Sequence, residues 1–574
     1  MFENRSPLRV KRIKEINMKL NKKILVLSAL LCLGLGGCVG PSGNSGTGSE
    51  ESLAPWSDPG TADFVNVTEF DEPIDVRTDD QKAFIEYDGD YSALQQSDFT
   101  GTYHTNPNES QSEAKTFEIA FEHETDKEVS SYEVEISLKN NMEDAWSFPA
   151  KDGKATIQNL FIGSTYYYRV KANYAEGEPE YSFVKTLQTV DAAPRIVNID
   201  GMTNCRDLGG KMTASGAKIR QGLLYRTASL DDNQSGSIIT DIGRETARKY
   251  LGMKTEIDLR GGPNGTGGEG SGSFTGSSKL DAETDYKFIP FAYSNGKDNL
   301  FRNIIPVRRF FETLATPEAF PAFFHCRIGT DRTGLCATLL NGLLGLSLQE
   351  IYQDYLFSNF GRIGKTSTVG QANEDGIAGY VHELTAFDGE TLQERVYNFL
   401  LTIGVKEATL QNILDTMLEG SKPELNPKKV NLTHAEDFNL DGATIVDSDA
   451  FRSPEKAAKL SQGNKISYTF TSDKAVEASI TAMMTSKTTS GALNSALKVT
   501  LDGTELSLYD TSFATNKLGF GANDEYWEPA KLVDGVALSA ASHTLEVEST
   551  FGTDIKITDM VLTLGGDATI ALVK

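Results

Sequence analysis

Residues 325–334 read His-Cys-Arg-Ile-Gly-Thr-Asp-Arg-Thr-Gly, so a cysteine is followed six positions later by an arginine. Those residue types at that spacing suit nucleophilic attack on a phosphate ester. The attacking species is a thiolate. A free thiol has a pKa of about 8.5, which a helix N-terminus or a nearby cation lowers by several units, so Cys326 needs such surroundings. The five residues Arg327, Ile328, Gly329, Thr330 and Asp331 can wrap as a loop with inward N–H groups, and such a nest at a helix start binds a dianion. Gly329 permits close backbone approach. Arg332 offers a planar fork to two phosphate oxygens and gains strength as charge moves onto them. The Thr333 hydroxyl can donate to the thiolate as it leaves, and His325 orients the loop by hydrogen bonding rather than acting as a base.

The flanks supply elements able to hold such a loop. Phe320-Pro-Ala-Phe-Phe324 is an apolar run of strand length, and residues 335–346 are rich in helix formers. Strand, anion loop and helix is the order that places phosphate on a helix N-terminus.

With these residues in view, the sequence resembles the secreted bacterial tyrosine and lipid phosphatases of the cysteine-dependent phosphatase superfamily, whose signature is close to His-Cys-x-x-Gly-Lys-Asp-Arg-Thr-Gly. The resemblance spans roughly 195–420. It also rests on Asn204-Cys-Arg-Asp-Leu-Gly-Gly210, Gly222-Leu-Leu-Tyr-Arg-Thr-Ala-Ser229, Thr255-Glu-Ile-Asp-Leu-Arg260 and Ile351-Tyr-Gln-Asp-Tyr-Leu-Phe-Ser-Asn359. It implies a phosphocysteine mechanism without metal or cofactor, and the chain shows no strong metal-ligand spacing. Cys205 stands where the family has phenylalanine, a packing change. Thr330 stands where many members have a lysine that helps bind highly charged substrates, which disfavours a strongly anionic lipid, although Arg327 adds a cation. Asp331 is retained and is the first candidate for the general acid. Asp258 is the second, its other reading being a carboxylate that positions Arg260 or Arg332. Arg206 and Asp207 are expected to brace the site.

The chain has 574 residues and a formal net charge of −25, enough length for several domains. The acidity argues against nucleic acid or anionic membrane surfaces as partners. Lys19, Lys22 and Lys23 precede an apolar stretch from Ile24 to Gly37 and then Cys38. That pattern is a secretory signal, and Leu35-Gly36-Gly37-Cys38 resembles a bacterial lipobox. The expectation is a signal over 1–38, started from Met18, with Cys38 lipidated and the membrane met only through that anchor. Val39 favours the outer membrane. Cys326 would then be open to oxidation, with Cys205 or Cys336 as disulfide partners.

Residues 39–95 read as a flexible tether and N-terminal segment. Residues 96–190 alternate as strands, as in Tyr166-Tyr-Tyr-Arg-Val-Lys-Ala172. Around Leu160 and Tyr166 they resemble a fibronectin type III β-sandwich. Residues 191–424 alternate strand-like and helix-like segments, which implies an α/β sheet with helices on both faces. Within them, the Gly/Ser-rich stretch 261–278 reads either as a mobile lid or as a surface loop. Residues 427–574 return to alternating strands, and the last of them are similar to carbohydrate-binding jelly rolls of the galactose-binding kind. Tyr526 and Trp527 could stack on a sugar or pack a core. Asp437-x-Asn439-x-Asp441-Gly442 mimics the start of a calcium loop, but Ser448 fills its twelfth position and no metal is assigned.

The expected architecture is multidomain, with a central α/β cysteine-phosphatase domain flanked by two β-sandwiches. The expected activity is extracytoplasmic phosphomonoester hydrolysis. The alternatives are a phosphoinositide or inositol-phosphate phosphatase on the same loop, and a glycan- or protein-binding lipoprotein with a vestigial phosphatase domain.

Overall fold

A computed structural model describes residues 58–574 except 233–235, 262–275, 293–299, 301–302, 371–375, 448–453, 487–491 and 509–526. The signal, Cys38, Tyr526, Ser448 and most of the Gly/Ser-rich 261–278 stretch lie outside the described residues. From Asp58 onward the chain is one compact unit.

Five short strands form the sheet that carries the Cys326 loop. Their order is Arg206–Asp207, Leu224–Thr227, Ala322–His325, Thr255–Asp258, Asp285–Phe288. Only the first pairing is antiparallel. The Ala322–His325 strand is thus central, with an earlier strand on each side, so the loop leaves the sheet where its order reverses. That is the place at which open parallel sheets bind ligands.

Alternation along the strands explains why both faces are covered. Leu224, Ile257, Ala322 and Phe324 join an apolar cluster with helices Ile304–Leu314, Asp331–Leu344, Leu392–Thr402 and Glu407–Met417. Tyr225 and Phe323 join a second cluster with Ala247, Leu251 and Met253, at and just after the helical turns of 241–250.

The preceding sheet runs Phe117–Ala120, Lys154–Ile157, Trp146–Lys151, Val129–Ser137, Thr165–Tyr174, Glu180–Tyr181, and Lys185–Gln188 also pairs with Thr165–Tyr174. Tyr166, Tyr168 and Val170 point inward at alternate positions with Ile119, Val134 and Ile157. The Tyr166 hydroxyl accepts from Phe161 N at 2.7 Å and pins the turn after Leu160. This module is docked firmly. Arg195 donates to Asn159 O and Leu160 O and covers the Phe161 ring, while Phe148 stacks on Tyr250.

The tether read at 39–49 lies outside the described residues, whereas the N-terminal segment from Asp58 onward is built into the fold. Phe64–Val65 pairs with Glu122–His123. Helices Asp79–Ile85 and Gln96–Gly101 bring Phe84 and Phe99 into the cluster of the catalytic sheet, where Phe84 meets Phe357 and Phe360. Residues 96–103 likewise belong to that core rather than to the sandwich, whose own core begins at Phe64 and Val67 and resumes with Ile119. The Thr78 capping box starts the first of these helices.

The C-terminal strands make two six-stranded sheets around one core, in which Ile466, Tyr468, Val499 and Val547 of one face Ile480, Ala482, Ile557 and Leu562 of the other. The outer side of one sheet lies on the catalytic helices. Met483, Trp527 and Val561 join their cluster, and Arg308 reaches Asp559 at 3.8 Å. Trp527 is 2% exposed. It is therefore a packing residue and not a sugar platform. Asn439–Asp441 is extended and paired with Lys465–Ser467, so it is not a cation-binding loop.

Because Phe84 is completely buried, Phe84→Ala should cost about 3–5 kcal/mol, read as a lower urea midpoint in the loss of structure around the sheet that carries the Cys326 loop. A tether residue would leave that midpoint unchanged.

Candidate active site

The loop is built by turning its carbonyls outward. Each one has a named donor. His325 Nδ1 lies 2.9 Å from Cys326 O. Ser229 N donates to Arg327 O at 3.0 Å, Asn204 Nδ2 to Ile328 O at 3.0 Å, and Arg226 Nη2 to Gly329 O at 2.7 Å. Thr330 O accepts from Gly334 N at 2.7 Å. In a trans peptide the following N–H points the opposite way, so the amides of residues 327–330 face the loop centre. Gly329 sits at φ +72°, and a Cβ there would lie 2.3 Å from Thr227 O. No other residue fits without moving that strand.

Cys326 is buried at the bottom of the loop, and its N–H donates to Thr333 Oγ1 at 2.8 Å. That bond uses an oxygen lone pair and leaves the Thr333 proton for the sulfur. Asp331 opens the helix Asp331–Leu344 and Arg332 follows it, 6% exposed. Both belong to the first turn, where the helix N-terminus favours negative charge. Arg327 Nε is 2.6 Å from Asp232 Oδ2, so the cation expected to compensate for a threonine at 330 shares its charge with a carboxylate.

Beneath the loop lies a buried ionic layer. Asp354 bridges two arginines, with Arg206 Nε at 2.9 Å and Arg226 Nη1 at 2.5 Å. Burial pushes the Asp354 carboxyl up, but Arg226, Arg206 and Lys211 win and hold it well below the usual range. Burial, reinforced by Arg226, brings Arg206 down to about 10. Arg206 Nη1 also donates to Asn204 Oδ1 at 2.6 Å, so Asn204 is gripped from behind while its amide holds Ile328 O. Arg206 thus braces the loop. Asp207 does not share that role. Adjacent strand residues face opposite ways, and its carboxylate accepts from Gly209 N, Gly222 N and Arg195 Nη1 at the sandwich junction.

On the neighbouring strand, Asp258 accepts from Arg260 Nε and Nη2 and from Tyr286 OH. Burial raises it, yet His325 and Arg260 outweigh that and bring its pKa down to about 2. It is an ionised anchor for Arg260, which also reaches Asp231 at 2.6 Å. It has no proton to give near neutrality, which leaves Asp331 as the acid candidate. Asp331 is raised by burial, with Lys365, the Tyr355 hydroxyl and Arg226 pulling the other way.

His325 lies between Glu256, 2.9 Å from Nε2, and Cys326 O. Burial lowers it, but Asp258 and Glu256 more than offset this and hold it above the ordinary histidine value. Glu256, Asp258 and His325 are close enough to ligate a cation. However, an imidazolium donating through both nitrogens has no lone pair for a metal. Cys205, Cys326 and Cys336 are free thiols. Cys205 packs in a different apolar cluster from the other two.

The residue types and spacing at 325–333 exposed the loop itself. Arg226, Asn204, Ser229 and Asp354 drew no role from the sequence, although each lies inside a stretch that carried the family resemblance. A buried arginine within such a stretch, with a carboxylate in another, was the available signal.

Residues 197–421 match the tyrosine phosphatase family. A protein of Cupriavidus necator assigned by name to the tyrosine-protein phosphatases is 29% identical over 177 residues, which is 28% of this chain and 62% of that protein. The chain therefore spans less than two thirds of that relative. Among solved structures, a family 35 carbohydrate-binding module from Clostridium thermocellum aligns with 12% identity and a TM-score of 0.19, covering 23% of this chain and 97% of the module. A family 35 module of Cellvibrio japonicus Abf62 aligns with 14% identity and a TM-score of 0.21, covering 25% of this chain and 99% of the module.

Since Asp258 has a folded pKa below its unfolded value of about 3.9, its stabilisation is complete above that pH and is lost as pH falls toward about 2. Asp258→Asn should therefore flatten the acid limb of stability against pH between those values, measured by thermal melting across a pH series.

Proposed function

We propose that this protein is an extracytoplasmic, lipid-anchored phosphomonoesterase of the tyrosine phosphatase type that works through a phosphocysteine intermediate. The observation that carries the catalytic part is the outward pinning of the carbonyls of residues 326–329, which directs the four amides of residues 327–330 at one point above Cys326. A phosphoryl group there meets the thiolate below and the Arg332 guanidinium at the side. The amides are fixed before substrate arrives, so little reorganisation opposes the transition state.

The reaction has two steps. Cys326 Sγ attacks phosphorus while the loop amides and Arg332 take the oxygens. Asp331 protonates the leaving oxygen as its bond to phosphorus breaks. Water then attacks the phosphocysteine, Asp331 accepts its proton, and the Thr333 hydroxyl donates to the departing thiolate. Anchoring through Cys38 rests on the sequence pattern of residues 19–38. Among the described residues no helix is long and apolar enough to cross a membrane.

Hydrolysis of an aryl phosphate in the presence of a chelator tests the chemistry. The parent should be active and Cys326→Ser inactive. Arg332→Lys should lose about 10²–10³ in kcat, because one ammonium cannot replace the fork. Activity surviving in Cys326→Ser would remove the phosphocysteine mechanism. For the anchor, Cys38→Ala expressed in a bacterial host should move the protein from the membrane to the soluble fraction.

A further inference from the structure

We propose that Tyr355 is a positioning residue that occupies Asp331 Oδ1 and so leaves Oδ2 to carry the transferred proton. The proposal rests on Asp331 being the general acid. The Tyr355 hydroxyl is 3.1 Å from Asp331 Oδ1. Tyr355 is 4% exposed, on the helix Leu348–Leu356 that packs beside Asp331–Leu344. Its ring is fixed by what it rests on. A Cβ at Gly334 would lie 2.7 Å from Tyr355 Cδ2, so glycine at that position gives the ring its place along the first helical turn. Gly334 follows Asp331 by three residues, one turn up the same face, which is why a ring lying over Gly334 reaches the carboxyl with its hydroxyl.

The surrounding charges favour a carboxyl that changes state twice per turnover. Burial favours the acid, whereas Lys365 on the following loop, Tyr355 and Arg226 on the neighbouring strand favour the carboxylate. Tyr380 stands behind Tyr355. Burial and Asp331 hold the tyrosine far above its usual pKa, so its hydroxyl remains a donor. With Oδ1 accepting that bond, the proton of the neutral acid sits on Oδ2. In the first step Oδ2–H passes to the leaving oxygen as the P–O bond breaks. In the second, water adds to phosphorus, its proton returns to Oδ2, and the P–S bond breaks to release phosphate and the Cys326 thiolate.

The test compares the parent with Tyr355→Phe, Lys365→Met and Asp331→Asn on phenyl phosphate and on 4-nitrophenyl phosphate, over a pH series. Tyr355→Phe should lose about tenfold in kcat on phenyl phosphate and about twofold on the nitrophenyl ester, whose leaving group needs less protonation. Removing a bond that favours the carboxylate raises the acid's pKa, so the basic limb of the kcat profile should move up by about one pH unit. Lys365→Met, an exposed position, should move it in the same direction. Equal losses on both esters with an unmoved basic limb would reduce Tyr355 to a packing residue and overturn the inference. If Tyr355→Phe does not fold, Gly334→Ala, whose Cβ would push the ring aside, takes its place, and equal losses on both esters with an unmoved limb overturn the inference. Asp331→Asn separates the two claims. If that variant treats both esters alike, the acid assignment itself falls; if it discriminates and Tyr355→Phe does not, only the positioning role falls.

Discussion

One carboxylate between two buried guanidiniums underlies the site. Asp354 has to neutralise Arg206 and Arg226 at a depth where neither arginine meets water. Removing such charges from solvent costs several kcal/mol per ion, and it is offset only when geometry is good and the remaining donors find acceptors. Here they do. The donors left after Asp354 is satisfied go to Asn204 Oδ1, to Asp354's own carbonyl and to Gly329 O. The ionic layer therefore has an outlet, which is the carbonyl side of the phosphate loop. Stabilising the buried charges and orienting the loop amides are the same set of hydrogen bonds.

This arrangement ties the loop to elements distant in the chain. Asp354 comes from Leu348–Leu356, the second helix after the loop, and Arg206 and Arg226 from two strands before it. Asn204 is steadied further by Ser112, whose hydroxyl accepts from Asn204 N at 2.8 Å. The N-terminal segment thus contributes to the site through one intermediate residue. The flanking sandwiches meet the catalytic domain elsewhere. Their contacts run through Arg195 and Tyr250 on one side and through Trp527 and Asp559 on the other. They are braces for the catalytic sheet, which has only short strands and gains rigidity from what is packed around it.

Two residues show where reading by pattern stops. Arg206 and Asp207 are neighbours in one motif, and both were expected to brace the site. Strand alternation sends them to opposite faces, one under the loop and one to the interdomain junction. Asp258 and Asp331 both read as acids beside an arginine. Their surroundings separate them, since three donors and a nearby imidazolium keep one ionised while burial favours the proton on the other.

The sequence by itself determined the candidate nucleophile, the candidate phosphate fork and the loop between them, because those residues are contiguous and their spacing suits that chemistry. It also determined the alternation of the flanking sandwiches, a period-two signal. Only the tertiary structure decided which distant side chains hold the loop carbonyls, which carboxylate burial raises and which its neighbours lower, and that residues 79–103 belong to the core around the Cys326 loop's sheet. Each depends on burial and on partners far apart in the chain. A buried arginine and an exposed one have the same letter, and a seven-residue helix shows its apolar face only when there is a core to receive it.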